Sequence, residues 1–186
     1  MTVVGLDLSL TATGLCRLDR DEPPALTTIT SKGTAKDTVA ERSARLHNLA
    51  DRILAATNDL RSYSPILVVV EGPSVMSKGG SNWDRAGLWW WVVGALHAIE
   101  LPVAVVPPST LKKWATNSGA ADKATVAVQL ARLWPDTTGA NDNEWDALGL
   151  ATMGAQWLDW PKTPSRAHHP AALNGAQWPH RSEVTE

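Results

Sequence analysis

Two acidic residues lie within or directly after strongly apolar segments of the chain. Asp7 lies inside the apolar segment 3–10, and Glu71 follows the apolar run 66–70. A lone carboxylate is expensive to bury unless it is paired or bound to a metal. An acid at the carboxyl end of a buried strand also lies where open α/β sheets bind their ligands. The alternative is that neither acid has a function. Each could simply reach the surface at the end of its strand or form an ordinary salt bridge with a neighbour.

A third acidic cluster, Asp-Asn-Glu-Trp-Asp at 142–146, lies at the predicted start of a helix. The simplest interpretation is that these residues stabilise the start of the helix, with Asn143 as the N-cap and Asp146 in the first turn. Asn143 and Asp146 are three residues apart, however, and so share one helix face that could pack beside Asp7 and Glu71. Oxygen ligands without His or Cys suit Mg²⁺ or Mn²⁺, and a pair of such ions typically hydrolyses phosphodiesters.

Alternating strand and helix patterns predict the elements that would position these acids. Strands are expected at 2–9, 13–18, 26–31, 66–71 and 101–106, and the first three suggest an antiparallel meander. A capping box at Thr38 and Glu41 predicts the start of a helix of about 20 residues. Further helices are expected at 81–99, 123–134 and 143–158, with a short one at 109–114. The order β-β-β-α-β-α-β-α-α predicts an α/β fold, a mixed five-stranded sheet with helices on both faces.

Length and composition limit the remaining possibilities. The 186 residues predict one domain, assigned to 1–160, and the aperiodic, proline-containing segment 161–186 predicts a flexible tail. The single cysteine excludes a disulfide scaffold or a thiolate-cluster metal site. No apolar run reaches the length of about 18 residues that a membrane span needs, so a soluble cytoplasmic protein is expected, with no membrane partner. The net charge of −2 gives no indication of nucleic-acid binding, because proteins that bind nucleic acids typically carry an excess of basic residues.

Several sequence blocks together resemble one known family. The opening segment Gly-Leu-Asp-Leu-Ser-Leu-Thr-Ala-Thr-Gly at 5–14 resembles the first motif of RuvC-type Holliday-junction resolvases, which belong to the RNase H-like superfamily. The strand ending at Glu71 and the blocks at 105–113, 118–123 and 146–151 match further family motifs in the same order. The resemblance spans about residues 3–155, and the compact chain is similar to phage-borne members.

The resemblance implies an RNase H-like fold and a homodimeric, Mg²⁺-dependent endonuclease that nicks two opposed strands of a four-way DNA junction. It implies two ions per active site, with Mn²⁺ as a possible substitute, and Asp7, Glu71 and Asp146 as metal ligands. The family's remaining acidic position falls on Asn143, whose amide oxygen can ligate an ion but adds no charge and cannot act as a general base. Asp142 is the alternative fourth ligand, although one residue turns it by about 100° around a helix.

The resemblance also assigns DNA contacts and a dimer interface. Lys112, Lys113 and Lys123 match basic positions that contact phosphates, Lys78 and Arg85 flank the presumed site, and the amides at Ser118 could bind a phosphate. Family members place an aromatic wedge in the loop after the second acid, where this chain has only Val75 and Met76 as sizeable apolar residues. The helix expected at 81–99 is apolar nearly all round, and its matching family helix forms the dimer interface. The interface residues predicted on this helix are Trp83, Trp89, Trp90 and Gly94.

Two alternatives from other functional classes stay open. A junction-binding protein with a weakened catalytic site would explain the amide at Asn143. The pattern Asp7…Thr11…Thr13-Gly14 also resembles the phosphate-binding hairpin of actin-like and sugar-kinase ATPases. Those folds close a second domain over the nucleotide, and 186 residues hardly supply one.

Overall fold

The computed structural model describes residues 1–58, 65–73 and 81–184. Lys78, Val75 and Met76, to which the sequence assigns DNA contact or the position of the family's wedge, lie outside the described residues.

One five-stranded mixed sheet forms the centre of the molecule, in the order β3-β2-β1-β4-β5. β1 pairs antiparallel with β2 and parallel with β4, while β2 pairs antiparallel with β3 and β4 parallel with β5. The predicted mixed sheet is therefore confirmed. Its strands are β1 (Thr2–Asp7), β2 (Ala12–Asp19), β3 (Ala25–Thr30), β4 (Pro65–Glu71) and β5 (Val103–Val106).

Helices cover both faces of this sheet, as predicted. α1 and α2 pack on the face that carries Val4, Leu6, Val68 and Val70. The opposite face, with Val3, Leu67 and Val69, is covered by α3, α4, α5 and α6. The bounds are α1 (Val39–Thr57), α2 (Asn82–Ala98), α3 (Pro108–Thr116), α4 (Lys123–Leu133), α5 (Asp142–Trp157) and α6 (His169–Leu173), followed by a 3-10 turn at Arg181–Glu183.

Local sequence chemistry explains why the central elements form where they do. The predicted capping box at the start of α1 is present, because Thr38 accepts from the backbone N–H of Glu41 while the Glu41 side chain accepts from the Thr38 N–H. Alternate residues of β4 face the two helical layers, which is why its apolar run is continuous. Glu71 therefore lies at the end of a strand that is covered on both faces.

α5 lies directly against the backbone of β1 and β2. A Cβ added to Gly5 would overlap the backbone of Ala147 and Ala151, and one added to Gly14 would overlap the backbone of Asn143. Only glycine allows an approach this close, since the obstacle is helix backbone rather than a movable side chain. The two glycines therefore fix where the first turn of α5 lies relative to Asp7.

The carboxyl-terminal segment, predicted as a flexible tail at 161–186, contacts the domain in the structure. Gln177 forms an antiparallel bridge with Val105 at the edge of β5, and Trp178 stacks on Trp157 with ring centroids 5.1 Å apart. His169 of α6 is buried against Trp114. Residues 161–184 thus pack against the domain through contacts between distant residues, which a search for local periodicity does not detect.

Within the described ranges, no helix combines the length and the apolar character needed to span a membrane.

Candidate active site

Asp7 and Glu71 end adjacent parallel strands and open into the same cavity. β1 ends at Asp7 and its parallel neighbour β4 ends at Glu71. The cavity measures about 550 Å³, and Asp146 and Asn143 from the start of α5 also line it. The structure therefore brings together the four residues that the sequence singled out from three separate segments.

The carboxyl groups of Asp7 and Glu71, at the ends of adjacent strands, are close enough to interact directly. Burial, reinforced by the neighbouring acids, raises the pKa of Asp7 to about 7. Burial and then the charge of Asp7 raise the pKa of Glu71 to about 8. Burial also raises the pKa of Asp146, although Lys123 opposes that shift. The site is therefore a pocket of carboxyl groups that favours bound positive charge, either protons or cations.

The start of α5 is fixed by a polar network that the sequence did not predict. Asn141, rather than Asn143, is the N-cap, and its side chain accepts from the Glu144 backbone N–H. The buried Glu144 carboxylate accepts from Thr28 Oγ1 of β3 at 2.6 Å and from the Ala140 N–H at 2.6 Å. The Asn-x-x-Glu spacing was the sequence signal for this start. The network holds the helix that carries Asn143 and Asp146.

Asn143 has a structural contact besides its place in the cavity wall. Its side-chain Nδ2 donates to the backbone carbonyl of Ala12, the first residue of β2. A carboxylate at this position has no proton to donate to that carbonyl. An amide here therefore fastens α5 to β2 while leaving its oxygen as the atom able to ligate an ion.

Lys123, which the sequence predicts to contact a DNA phosphate, lies beside two acidic residues of α5. Its Nζ lies 4.0 Å from Asp142 Oδ2 and 4.0 Å from Asp146 Oδ2. Its charge lowers the raised pKa values of Asp7 and Glu71. Asp142 is exposed and does not line the cavity with the other acids. Asp142 therefore fits the position of a partner for Lys123 rather than that of a fourth ligand.

The other residues predicted to bind phosphate differ in how close they lie to the cavity. Lys112 lines the cavity, whereas Lys113 is exposed one position further along α3. The Ser118 backbone N–H donates to Thr116 Oγ1 at 3.1 Å, and α4 begins only at Lys123 with Asp122 as its cap. The Ser118 amide therefore has a partner within the chain and does not belong to a helix N-terminus, and its phosphate contact stays a prediction.

α2 contributes to the cavity and exposes a separate tryptophan face. Trp89 is 9% exposed, lines the cavity and donates its indole N–H to the Glu71 carbonyl at 2.9 Å. It is therefore excluded from the predicted dimer face, since its ring points towards the sheet. Trp83 and Trp90 are 85% and 68% exposed, and Gly94 on the same helix face has open space beside it. Arg85 and Asn82, near the start of α2, also line the cavity.

The donor set fits a hard divalent cation by its chemistry. Carboxylates and an amide oxygen are the ligands that Mg²⁺ and Mn²⁺ prefer, and the raised pKa values of Asp7 and Glu71 favour positive charge beside them. Across residues 1–58, 65–73 and 81–184, no three His, Cys, Asp or Glu side chains converge closely enough to hold one ion. Asp146 lines the same cavity as Asp7 and Glu71, and Lys123 Nζ lies 4.0 Å from its carboxylate.

Comparison with known proteins identifies the fold. No protein-family model matches the chain, and no curated protein matches it. A structure of Thermus thermophilus RuvC matches with a TM-score of 0.63 and 19% identity, over 88% of this chain and 99% of that one. The chain has a RuvC-like fold. A T. thermophilus RuvC structure in complex with Holliday junction substrate matches with a TM-score of 0.65 and 18% identity, over 88% and 98% of the two chains.

The RuvC-like fold confirms the architecture that the sequence resemblance implied. It places Asp7 and Glu71 at the carboxyl edge of a sheet that is covered on both faces. The comparison extends to the fold alone, so the roles of the four site residues stay predictions, which their shared cavity supports.

Proposed function

We propose that the protein is a structure-selective DNA endonuclease that cleaves four-way junctions or other branched DNA. The observation that carries this proposal is the contact between Asp7 and Glu71 at adjacent strand ends, in a cavity shared with Asp146, within a RuvC-like fold. Buried carboxyl groups with raised pKa values at the ligand-binding edge of a sheet mark a functional site rather than a stabilising one.

The reaction proposed is hydrolysis of a phosphodiester, with water as the nucleophile. Asp7, Glu71 and Asp146 would hold one or two Mg²⁺ ions, and the Asn143 oxygen would support them. Such ions, when bound, lower the pKa of the attacking water and stabilise the leaving oxygen. Lys112 and Arg85, which line the cavity, would bind the phosphates that flank the scissile bond.

Paired nicks on opposed strands require two active sites, so we propose that the enzyme acts as a homodimer. The exposed face of α2 is the candidate interface, because Trp83 and Trp90 lie on it seven residues apart. Large exposed aromatic side chains on one helix face are typical of interaction surfaces.

Incubation of the purified protein with a labelled four-way junction tests this function. Wild type should nick the junction in Mg²⁺ or Mn²⁺ and not in chelator, and Asp7→Asn should lower the rate by more than about 100-fold. Asp136→Asn, which removes an exposed acid after α4, is the matched control and should cleave normally. Absence of cleavage by wild type, or equal cleavage by Asp7→Asn, would refute the proposal.

The contact of Asn143 with Ala12 favours a second candidate, a junction-binding protein with weak catalysis. Here the amide would be retained for its structural bond, and the site would lack one negative charge for the ions. Tight, salt-dependent junction binding without nicking in either Mg²⁺ or Mn²⁺ would support this second function.

A further inference from the structure

A basic pocket lies at the same sheet edge as the acidic cavity but on the other side of the β1–β2 turn. It measures about 470 Å³ and is formed by the end of β3 and one face of α1. Three of its lining side chains are cationic and the others are neutral and polar. The lining residues are Thr30, Ser31, Lys32, Arg45, Asn48 and Arg52.

The pocket is directly connected to the turn that follows Asp7. The Ser31 N–H donates to the Thr11 carbonyl at 3.0 Å, and Arg45 Nη2 donates to the Leu10 carbonyl. Leu10 is three residues after Asp7, so at most about 10 Å separates their Cα atoms. Ser9, in the same turn as Leu10 and Thr11, lines the acidic cavity.

Hydrogen bonds hold two of the three cations in place. Arg45 Nε donates to Ser31 Oγ at 2.8 Å, and Arg52 Nη1 donates to the Thr30 carbonyl at 2.9 Å. Arg45 and Arg52 are seven residues apart on α1 and therefore lie on the same helix face. A guanidinium has five N–H donors, so these bonds use only a part of the capacity of each group.

The positive charge of this pocket is poorly compensated. None of the ion pairs found among the described residues involves Lys32, Arg45 or Arg52. Asp37 is close enough for Arg45 to lower its pKa, but its carboxylate accepts hydrogen bonds from the Thr34 N–H and hydroxyl. Lys32 and Arg52 are exposed, which makes their charges available to a ligand.

We propose that the basic pocket binds the phosphate backbone of the DNA whose scissile phosphate enters the acidic cavity. The proposal rests on the proposed nuclease function. The pocket would hold the strand on the β3 side of the site, and Lys112 would hold it on the α3 side. Such contacts set the position of the DNA rather than its sequence.

Charge neutralisation at the exposed positions tests this assignment. The double variant Lys32→Gln/Arg52→Gln removes two cations, and Arg45 is left intact because it supports the turn after Asp7. The matched control is Arg20→Gln/Lys162→Gln, which removes two exposed cations near Asp19 and Asp21, at the opposite edge of the sheet. Binding of a fluorescent four-way junction is measured in chelator at several salt concentrations.

The pocket variant should bind the junction about tenfold more weakly than wild type, since one exposed contact contributes about a factor of three. The slope of log K against log salt should become shallower by about two. The junction affinity of the control variant should differ from that of wild type by less than about twofold. Equal losses in both variants, or no loss in the pocket variant, would refute the pocket while leaving the nuclease proposal standing. Failure of wild type to bind branched DNA would overturn both.

Discussion

The buried carboxyl pair makes the metal-free protein less stable as the pH rises. Asp7 and Glu71 have pKa values of about 7 and about 8 in the folded state, against ordinary values of 3.8 and 4.5. Between about pH 4 and pH 8 the folded state therefore binds more protons than the unfolded state, and stability falls through this interval. Above it, the full penalty for two buried negative charges remains.

Asp7→Asn should remove much of this penalty. In chelator at pH 8 the variant should be more stable than wild type by about 2 kcal/mol, and near pH 4.5 the two proteins should differ little. Urea unfolding at both pH values measures the difference. A variant that is no more stable at pH 8 would show that the pair does not hold its proton as the structure indicates.

Asn143 gives a second prediction at the scale of a single residue. Asn143→Asp loses the bond to the Ala12 carbonyl and adds a charge beside three acids, so the protein in chelator should be destabilised by about 1–3 kcal/mol. The loss in free energy of unfolding should be larger at pH 8 than at pH 5. The control Asp142→Asn changes the exposed neighbour and should have a much smaller effect on urea unfolding. Unchanged stability of Asn143→Asp would mean that the amide does not fasten α5 to β2.

The contact between α5 and the sheet gives a prediction at the scale of elements. Gly5→Ala places a methyl group against the backbone of Ala147 and Ala151, and α5 must move away to accept it. We expect a destabilisation of about 3 kcal/mol or more and a loss of the proposed nuclease activity, because Asp146 moves with the helix. Urea unfolding and junction cleavage measure the two effects.

Gly87→Ala is the matched control for this substitution. Gly87 lies inside α2, and an added methyl group would have only Leu46 nearby, at 3.9 Å. Alanine in a helix interior is favoured over glycine by about 0.5–1 kcal/mol, so the control should be slightly stabilised. Similar stability changes in both variants would contradict the close packing of α5 on β1.

α6 contains a buried histidine whose contribution to stability should fall as the pH falls, the reverse of the dependence expected for Asp7 and Glu71. His169 is 1% exposed, and burial lowers its pKa to about 4 from an ordinary value of 6.5. The unfolded chain takes up a proton at the higher pH, so the stability that neutral His169 provides is present above pH 6.5 and is lost as the pH falls towards 4. His169→Leu should reduce this loss by about 2 kcal/mol in urea unfolding at pH 4.5 relative to pH 7. An unchanged pH dependence would contradict the burial of a neutral imidazole.

Elements with local signals were predictable from the sequence, and contacts between distant residues were not. The capping box at Thr38 and the two-faced apolar run of β4 each follow from neighbouring residues, and both are present. The packing of Gln177 on Val105 depends on residues more than 70 positions apart, and no pattern along the chain encodes it.

The same division applies to the candidate site. The buried positions of Asp7 and Glu71 were predictable because an acid in an apolar strand is conspicuous in any sequence. The position of Lys123 beside Asp146 and the bond of Asn143 to Ala12 depend on how α4 and α5 meet the sheet. The basic pocket was missed for a related reason, since its cations come from a loop and one face of α1 that the sequence resemblance does not assign.

At the scale of the whole molecule, the distribution of charge reconciles a net charge of −2 with the DNA binding that we propose. The acids at the centre of the site attract cations, and basic residues lie on both sides of them. Lys112 and Arg85 line the acidic cavity, and the pocket containing Lys32, Arg45 and Arg52 lies beyond the β1–β2 turn. Local charge near the scissile phosphate therefore matters more for binding than the total charge of the chain.

The exposed tryptophans of α2 give the prediction for assembly. Trp83 and Trp90 expose most of their side chains while the opposite face of α2 packs in the core, so a second copy of the chain is the partner we propose for this face. Trp90→Ala should raise the dissociation constant of the proposed dimer by at least about 30-fold, because a central interface tryptophan typically contributes about 2 kcal/mol and each protomer loses one. Sedimentation equilibrium measures this constant. Val128→Ala, which shortens a half-exposed residue of α4, should leave it unchanged. A wild-type protein that stays monomeric, or a Trp90→Ala dimer of unaltered affinity, would exclude this face as the interface and with it the basis for paired nicks.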